Sequence, residues 1–293
     1  MPEQAKVIRR RIKSVSSTCK ITRTMEMVAS AKLRVAQKRV QSSGPYMAKL
    51  RELMQNIGGT GVDVTRWPQF EMRSGAGPVL LFVVTANRGL CGAFNANLVR
   101  LAKKTYEKLK AEGRDVRVRT AGRKGSAAFR FMGIDVERSY IDELSDKPEP
   151  SDAEFFLREL QQPFLSGEVD EVQVVYPHWV SIGRQPPTLL RLLPIVPEEA
   201  AQDARGGVAP LFEPSPEAIL DTLLPLYLRQ TMYSVLAEAV ASEQIARRTA
   251  MKLATDNAEE MVKSLTRVFN RARQAQITKE ICEILGGAEA LKE

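Results

Sequence analysis

Two long stretches, one at each end of the chain, are almost free of proline and glycine, and both carry coiled-coil spacing. From about Glu3 to Ile57 the only proline is Pro45 and the first glycine is Gly44. That predicts a helix of about forty residues before any interruption. Within it Ile8, Ile12, Val15, Cys19 and Thr22, then Ala29, Leu33, Ala36 and Val40, recur at alternating steps of four and three, broken only at Glu26 beside Met25. Such a repeat keeps one apolar seam facing a partner helix. At the other end Ser215-Pro216-Glu217 supplies an N-cap, a proline for the first helical position and an acid near the positive end of the dipole. Beyond Pro225 no proline or glycine appears until Gly286, and Met251, Ala254, Ala258, Met261, Leu265, Val268, Ala272 and Ala275 keep heptad spacing.

The middle follows a different grammar. Pro78–Val84, Asp115–Thr120, Glu171–Tyr176 and Thr188–Ile195 read as strands. Asn97–Ala111 and Lys124–Met132 read as helices, and Ser151-Asp152-Ala153-Glu154 as the capping box of another. Alternating strands and helices predict a small domain with a mostly parallel sheet. A linker rich in Gly, Ala and Pro follows, from Pro197 to Pro214. The fold class expected is therefore α/β plus a long antiparallel coiled coil, with N- and C-terminal long helices flanking an inserted Rossmann-like α/β domain. Its boundaries fall at residues 1–57, 58–214 and 215–293.

Size predicts the shape. An unbroken helix from Ser215 to Leu285 would be about 100 Å long, whereas a compact chain of this length has a radius of gyration of about 19 Å. The helices should project from the α/β domain and pair antiparallel, with residue 1 opposite roughly residue 271 if Ile57 lies near Ser215. The last turns, with Ile277, Ile281, Cys282, Ile284 and Leu285, would then stand unpaired. An isolated apolar helix end in water forfeits about 25 cal/mol per Å² of uncovered area, so it calls for a socket.

Charge narrows the class of partner. The net charge is +8, yet the residues up to Ile57 hold thirteen lysines and arginines against three glutamates, so the remainder is slightly acidic. A basic helix is a nucleic-acid signal, but no aromatic residue interleaves Arg9-Arg10-Arg11, and the heptad seam already supplies a protein partner. The reading is no nucleic acid. Cys19, Cys91 and Cys282 lie far apart and His178 is the only histidine, which suggests neither a disulfide framework nor a zinc site. The start of the chain lacks the apolar run of a signal peptide, and no later run approaches the ~20 residues of a membrane span. A chain kept in the compartment of its synthesis is expected, and a reducing cytoplasm fits the cysteines.

The sharpest enzymatic candidate is Arg88-Gly89-Leu90-Cys91-Gly92, which follows a strand and precedes a helix where a dinucleotide loop would sit. Gly89 and Gly92 do not make the GxGxxG pattern, and Thr120-Ala121-Gly122-Arg123 puts no acid after the next strand. Arg123-Lys124-Gly125-Ser126 lacks the order of a P-loop. The loop therefore reads as a tight turn, Cys91 as a packed turn cysteine, and His178 as loop or core. No catalytic, cofactor or metal residue is assigned. The rival reading keeps an enzyme on the α/β domain, with the helices serving for oligomerisation.

With these elements in place, the sequence resembles the gamma subunit of F-type ATP synthases along nearly its whole length. The residues that carry the resemblance are Ile8–Arg34 (IRRRIKSVSSTCKITRTMEMVASAKLR), Thr85–Asn97 (TANRGLCGAFNAN) and, within Ala241–Leu291, ASEQIARRTAMKLATDNAEEM and FNRARQAQITKEICEILGGAEAL. The resemblance implies a central rotary shaft without catalytic residues, its coiled coil inserted in a ring of α and β subunits. The α/β domain would form a foot that contacts the epsilon subunit and the membrane-embedded c-subunit ring. Rotation would force each β subunit through states of different nucleotide affinity, coupling proton flow to ATP synthesis or hydrolysis. It implies that Arg273 and Gln274 meet a loop of β and that Met25 lies near an acidic lever of β. Arg9, Arg10, Arg11, Lys20 and Arg23 form an electrostatic set suited to that lever. Asn87 stands where the family commonly has aspartate, and Cys19 where glutamine is usual. The paired-cysteine insertion of chloroplast forms and a transit peptide are both missing. That points to a bacterial complex, peripheral on the cytoplasmic side of the plasma (inner) membrane.

Overall fold

A computed structural model describes residues 3–58, 62–73, 75–196 and 212–290. The expected linker from Pro197 lies, up to residue 211, outside the described residues. The elements run α1 (Glu3–Gly58), β1 (Val79–Val84), α2 (Phe94–Ala111), β2 (Val116–Ala121), α3 (Arg123–Phe131), β3 (Arg138–Tyr140), α4 (Pro150–Leu165), β4 (Glu171–Pro177), β5 (Pro187–Leu193) and α5 (Pro216–Ala290). Two short 3-10 turns, Val64–Arg66 and Pro68–Phe70, precede β1. The chain divides into two compact units, Met1–Ser30 with Arg247–Glu293 and Ala31–Ala246.

The larger unit is built on a five-stranded sheet of order β3-β2-β1-β4-β5. Neighbouring strands are parallel except for the β4–β5 hairpin. The central strand β1 reads VLLFVV and is buried throughout, as a strand covered on both faces must be. Period-two alternation divides its side chains between two cores. Leu80, Phe82 and Val84 join α4 and parts of α1 and α5 in one, including Leu50, Ile57, Phe156, Leu160, Leu224 and Leu228. Val79, Leu81 and Val83 join Leu98, Ala102 and Leu109 of α2 and Phe129 of α3 in the other.

At the amino edge of the sheet a buried charge cluster replaces apolar packing. Glu171 accepts Nη1 of Arg114 at 2.7 Å, Nε of Arg191 at 2.9 Å and Nε2 of Gln173 at 2.8 Å. Burial pushes the Glu171 carboxyl up, but the hydrogen bonds from Gln173 and Arg114 and the charges of Arg191 and Arg114 outweigh it and leave the group below its ordinary range.

Several expectations need correcting. The helix α1 does not stop near Gly44; it continues through Gly44 and Pro45, both solvent-exposed. Proline removes one intrahelical hydrogen bond at about 3 kcal/mol, which the packing of Leu50 and Ile57 farther along the same helix offsets. The capping box of α4 lies earlier than Ser151, because the helix starts at Pro150 and the Asp152 side chain accepts the Glu149 N–H at 2.9 Å. Strand β3 was not expected; its three residues, Arg-Ser-Tyr, lack an apolar run and hold their place by parallel pairing with Arg119–Ala121. Helix α2 begins at Phe94, ahead of Asn97, and β5 spans Pro187–Leu193. At the start of α5 the cap is as expected: the Ser215 hydroxyl accepts the Ala218 N–H at 3.2 Å.

Candidate functional site: the helical pair and its apolar end

The smaller unit pairs the first part of α1 with the last part of α5. The seam on α1 follows the spacing in its sequence: Ile8, Ile12, Val15 and Cys19 are half-buried, Thr22 and Ala29 buried, and Glu26 occupies its place in the row half-buried. The helices run antiparallel. The Thr255 hydroxyl donates to Thr22 Oγ1 at 2.8 Å, Cys19 Sγ lies 4.0 Å from both the Thr255 carbonyl and Glu259 Oε1, and Arg23 pairs with Glu259. This register sets the start of α1 about five residues farther along α5 than counting rise from Ser215 places it.

On α5 the seam is turned relative to the heptads read from the sequence. Met251, Ala258, Leu265 and Ala272 do face inward, but the intervening inward positions are Thr255, Val262, Phe269 and Gln276. Of the residues expected between them, Ala254 is half-buried, Ala275 is exposed, and Met261 and Val268 are 53% and 50% exposed. An aspartate at Ala258 should therefore unzip the pair, costing about 2–4 kcal/mol in this part of the chain, whereas one at Met261 should cost less than about 0.5. Amide hydrogen exchange across 247–276 measures both.

Met261 and Val268 are thus an outward apolar stripe beside the seam. A second surrounds Met25, where Ile21 (57% exposed), Met25 (39%) and Val28 (52%) share a ridge at helical spacing on α1. Sequence reasoning singled out Met25 and missed its two neighbours, although the same 4-3 spacing reveals them. The apolar end is as bare as expected: Ile277, Ile281, Ile284 and Leu285 are 45%, 51%, 71% and 63% exposed, with Cys282 exposed among them.

The candidate contact residues do not form a single site. Arg273 and Gln274 are exposed on α5 just before the bare end, while Met25 lies about 30 Å away along the pair. Arg9, Arg10 and Arg11 are all exposed, but consecutive helical residues point about 100° apart, so they cover three directions. Lys20 and Arg23 are exposed too, and Arg23 is already engaged by Glu259. The exposed candidates thus fall at two levels along the pair, one near Met25 and one at Arg273 and Gln274.

In the larger unit the loop after β1 is filled by its own side chains. The Arg123 N–H at the start of α3 donates to Asn87 Oδ1 at 3.0 Å, and the Gly125 N–H to Thr85 Oγ1 at 2.9 Å. A side chain at Gly122 would fall 2.2 Å from the Thr85 carbonyl oxygen, and one at Gly125 would fall 2.7 Å from Thr85 Oγ1. These glycines let a helix and a strand end approach closely; their N–H groups are not presented to a phosphate. Asn87 also donates through Nδ2 to the Ile141 carbonyl at 2.8 Å, which an aspartate at that position could not do. Leu90 sits at φ +62°, an uncommon backbone state for leucine, and is 60% exposed. Cys91 is buried and accepts Asn95 Nδ2 at 3.1 Å. Among the described residues no group of three or more His, Cys, Asp or Glu side chains is arranged to hold a metal ion, and no helix is long and apolar enough to cross a membrane.

Residues 4–291 match the ATP synthase family model. The ATP synthase gamma chain of Leptospira biflexa is 41% identical over 284 residues, covering 97% of this chain and 98% of that one. The gamma chain of Moorella thermoacetica is 46% identical over 287 residues with the same coverage, and that of Symbiobacterium thermophilum is 44% identical with both chains covered in full. Among solved structures, the rotor of the Euglena gracilis mitochondrial ATP synthase aligns at a TM-score of 0.67 and 18% identity, over 94% of this chain and 99% of that one. The central stalk and c-ring structure from Tetrahymena thermophila aligns at 0.58 and 21%, over 80% and 99%. The paired terminal helices, the mostly parallel sheet of the larger unit and these full-length likenesses agree: the chain belongs to the ATP synthase gamma chain family.

Proposed function

We infer that this chain is the central rotary shaft of an F-type ATP synthase, a non-catalytic subunit that couples rotation of a membrane ring to ATP synthesis or hydrolysis on β subunits. The observation that carries this reading is full-length kinship with gamma chains joined to a helical pair whose far end is apolar and bare. The partners that follow are a ring of α and β subunits around the helices, with an epsilon subunit and a c-subunit ring at the foot. The functional division is 1–57 and 215–293 as shaft and 58–214 as foot and linker. Bacterial relatives support a place at the inner membrane on its cytoplasmic side, reached through the complex.

The two levels of exposed residues suit two contacts with the sleeve. Arg273 and Gln274 offer donors just before the apolar end, and the Ile21–Met25–Val28 ridge offers a flat apolar face with Lys20 close by in the chain. Differential contact of such an asymmetric surface with the states of β supplies the coupling free energy. Replacing Arg273 and Gln274 together by alanine should lower hydrolysis by the assembled complex about tenfold, with the helicity of the chain unchanged. Met25→Lys should act on coupling more than on assembly. The deciding experiment is co-expression with α and β from the same source. A shaft joins the ring in single copy and supports hydrolysis; an α/β-domain enzyme turns over substrate alone and forms no such complex.

A further inference from the structure

We propose that Gln41–Met47 is a joint built into α1, a stretch at which this helix opens while α5 beside it stays closed.

The sequence there reads Gln41-Ser42-Ser43-Gly44-Pro45-Tyr46-Met47, and four consecutive residues of it disfavour a helix for separate reasons. Pro45 has no N–H to give the Gln41 carbonyl, and its ring crowds that carbonyl. Gly44 lies inside the helix, where glycine costs backbone entropy. No packing demands it, because a side chain at Gly44 would meet no atom within 4 Å. Ser42 and Ser43 donate from their hydroxyls to the Arg39 and Val40 carbonyls, each at 3.1 Å. Those carbonyls belong to the helical ladder, and such back-bonding weakens and bends helices. Kinks gather at prolines and at Gly/Ser pairs, and this stretch has both.

Tertiary packing can override local weakness, and on either side of the stretch it does. Leu33 and Ala36 are 3% and 5% exposed, Leu50 and Ile57 4% and 2%. Between these anchors, from Gln37 to Lys49, α1 has no buried residue. Gln41, Ser42, Gly44, Pro45 and Tyr46 are exposed, while Ser43 and Met47 are half-buried. The Thr231 hydroxyl of α5 stands 3.9 Å from Met47 Sδ, but it donates to the Tyr227 carbonyl of its own helix at 2.8 Å.

Opposite this stretch α5 has the reverse character. Thr231 meets Met47, and Val240 and Ala241 cluster with Ala36, which brackets the facing length. Within it α5 has no proline or glycine, and Met232, Val235, Leu236 and Ala239 are buried in the core beneath the sheet. Opening α5 there would uncover that core, whereas opening α1 at 41–47 uncovers little apolar surface. Local opening therefore falls on α1, and the sheet core is spared.

Hydrogen exchange of the full chain, corrected for intrinsic rates, tests this directly. Amides 42–49 should be about a hundredfold less protected than those of 50–57 in α1 and of 232–240 in α5. Pro45→Ala restores the missing donor and should raise the protection of 42–49 about a hundredfold, to the level of 50–57, and Gly44→Ala should raise it about fivefold. Neither substitution should move 232–240 by more than about threefold. Wild-type protection at 42–49 equal to that of 50–57 overturns the proposal even if neither variant folds. So does a gain in Pro45→Ala that spreads equally to 232–240, because the proline would then weaken the whole unit and not one joint.

Discussion

Glu171→Ala is expected to destabilise the sheet-bearing unit by about 3–5 kcal/mol, because it leaves the buried Arg114 guanidinium without its carboxylate. Arg114 and Glu171 are each about 9% exposed in their side chains, and Arg191 reaches the same carboxylate from β5. Two strands and the loop before β2 thus depend on one acidic group at the edge of the sheet. The pairing has a pH signature as well. Because the folded-state carboxyl lies below its ordinary value, its contribution is present at neutral pH and is lost as pH falls through the lowered titration. Urea unfolding followed by the exchange of β1 and β4 amides measures the loss. A change under about 1 kcal/mol would mean that water or relaxation replaces the carboxylate and that the cluster is not a true interior feature. Glu171→Gln should fall between wild type and alanine, since an amide keeps acceptor capacity but not charge.

The second large effect concerns the bare end of α5. A chain ending at Arg271 loses Ile277, Ile281, Ile284 and Leu285, each worth about 1.5–3 kcal/mol when fully buried. Two results of opposite sign should follow. On its own the shortened chain should be less prone to aggregate, because an exposed apolar patch has been removed. Co-expressed with α and β, it should assemble or hydrolyse ATP several-fold less well, because the sleeve has lost the surface it encloses and the contact at Arg273 and Gln274. Unchanged aggregation together with unchanged assembly would show that these side chains have no partner to fill.

How far the sequence revealed this arrangement depended on whether one surface or two are apolar. On α1 the inward row was readable because its outward neighbours are mostly Arg, Lys, Ser and Thr. On α5 two of the inward residues have an apolar neighbour that faces outward, Met261 beside Val262 and Val268 beside Phe269, so spacing alone cannot separate seam from flank. That ambiguity has a physical origin: a helix with an apolar stripe outside its seam suits a second partner. The continuation of α1 through Gly44-Pro45 was hidden because local propensity argues for a stop and tertiary packing overrules it. Strand β3 was hidden because three residues carry almost no periodic signal. The loop after β1 had the position of a nucleotide turn, and only the structure shows its Thr85 and Asn87 side chains accepting the N–H groups of Gly125 and Arg123 at the start of α3. Met25, Arg273 and Gln274 stand out as contact candidates through resemblance alone, whereas the Ile21 and Val28 ridge was present in the spacing and not recognised.

Rotation itself is the most direct test. A complex of this chain with α and β can be fixed to a surface through β, with a bead attached at Phe131→Cys on α3, where the native side chain is 93% exposed, and Cys282 replaced by serine to direct the label. With ATP supplied, the bead should turn in one direction, in steps matching the number of catalytic β subunits. A complex that hydrolyses ATP at the normal rate while the bead holds a fixed angle would contradict the account, because the chain would then be a static scaffold.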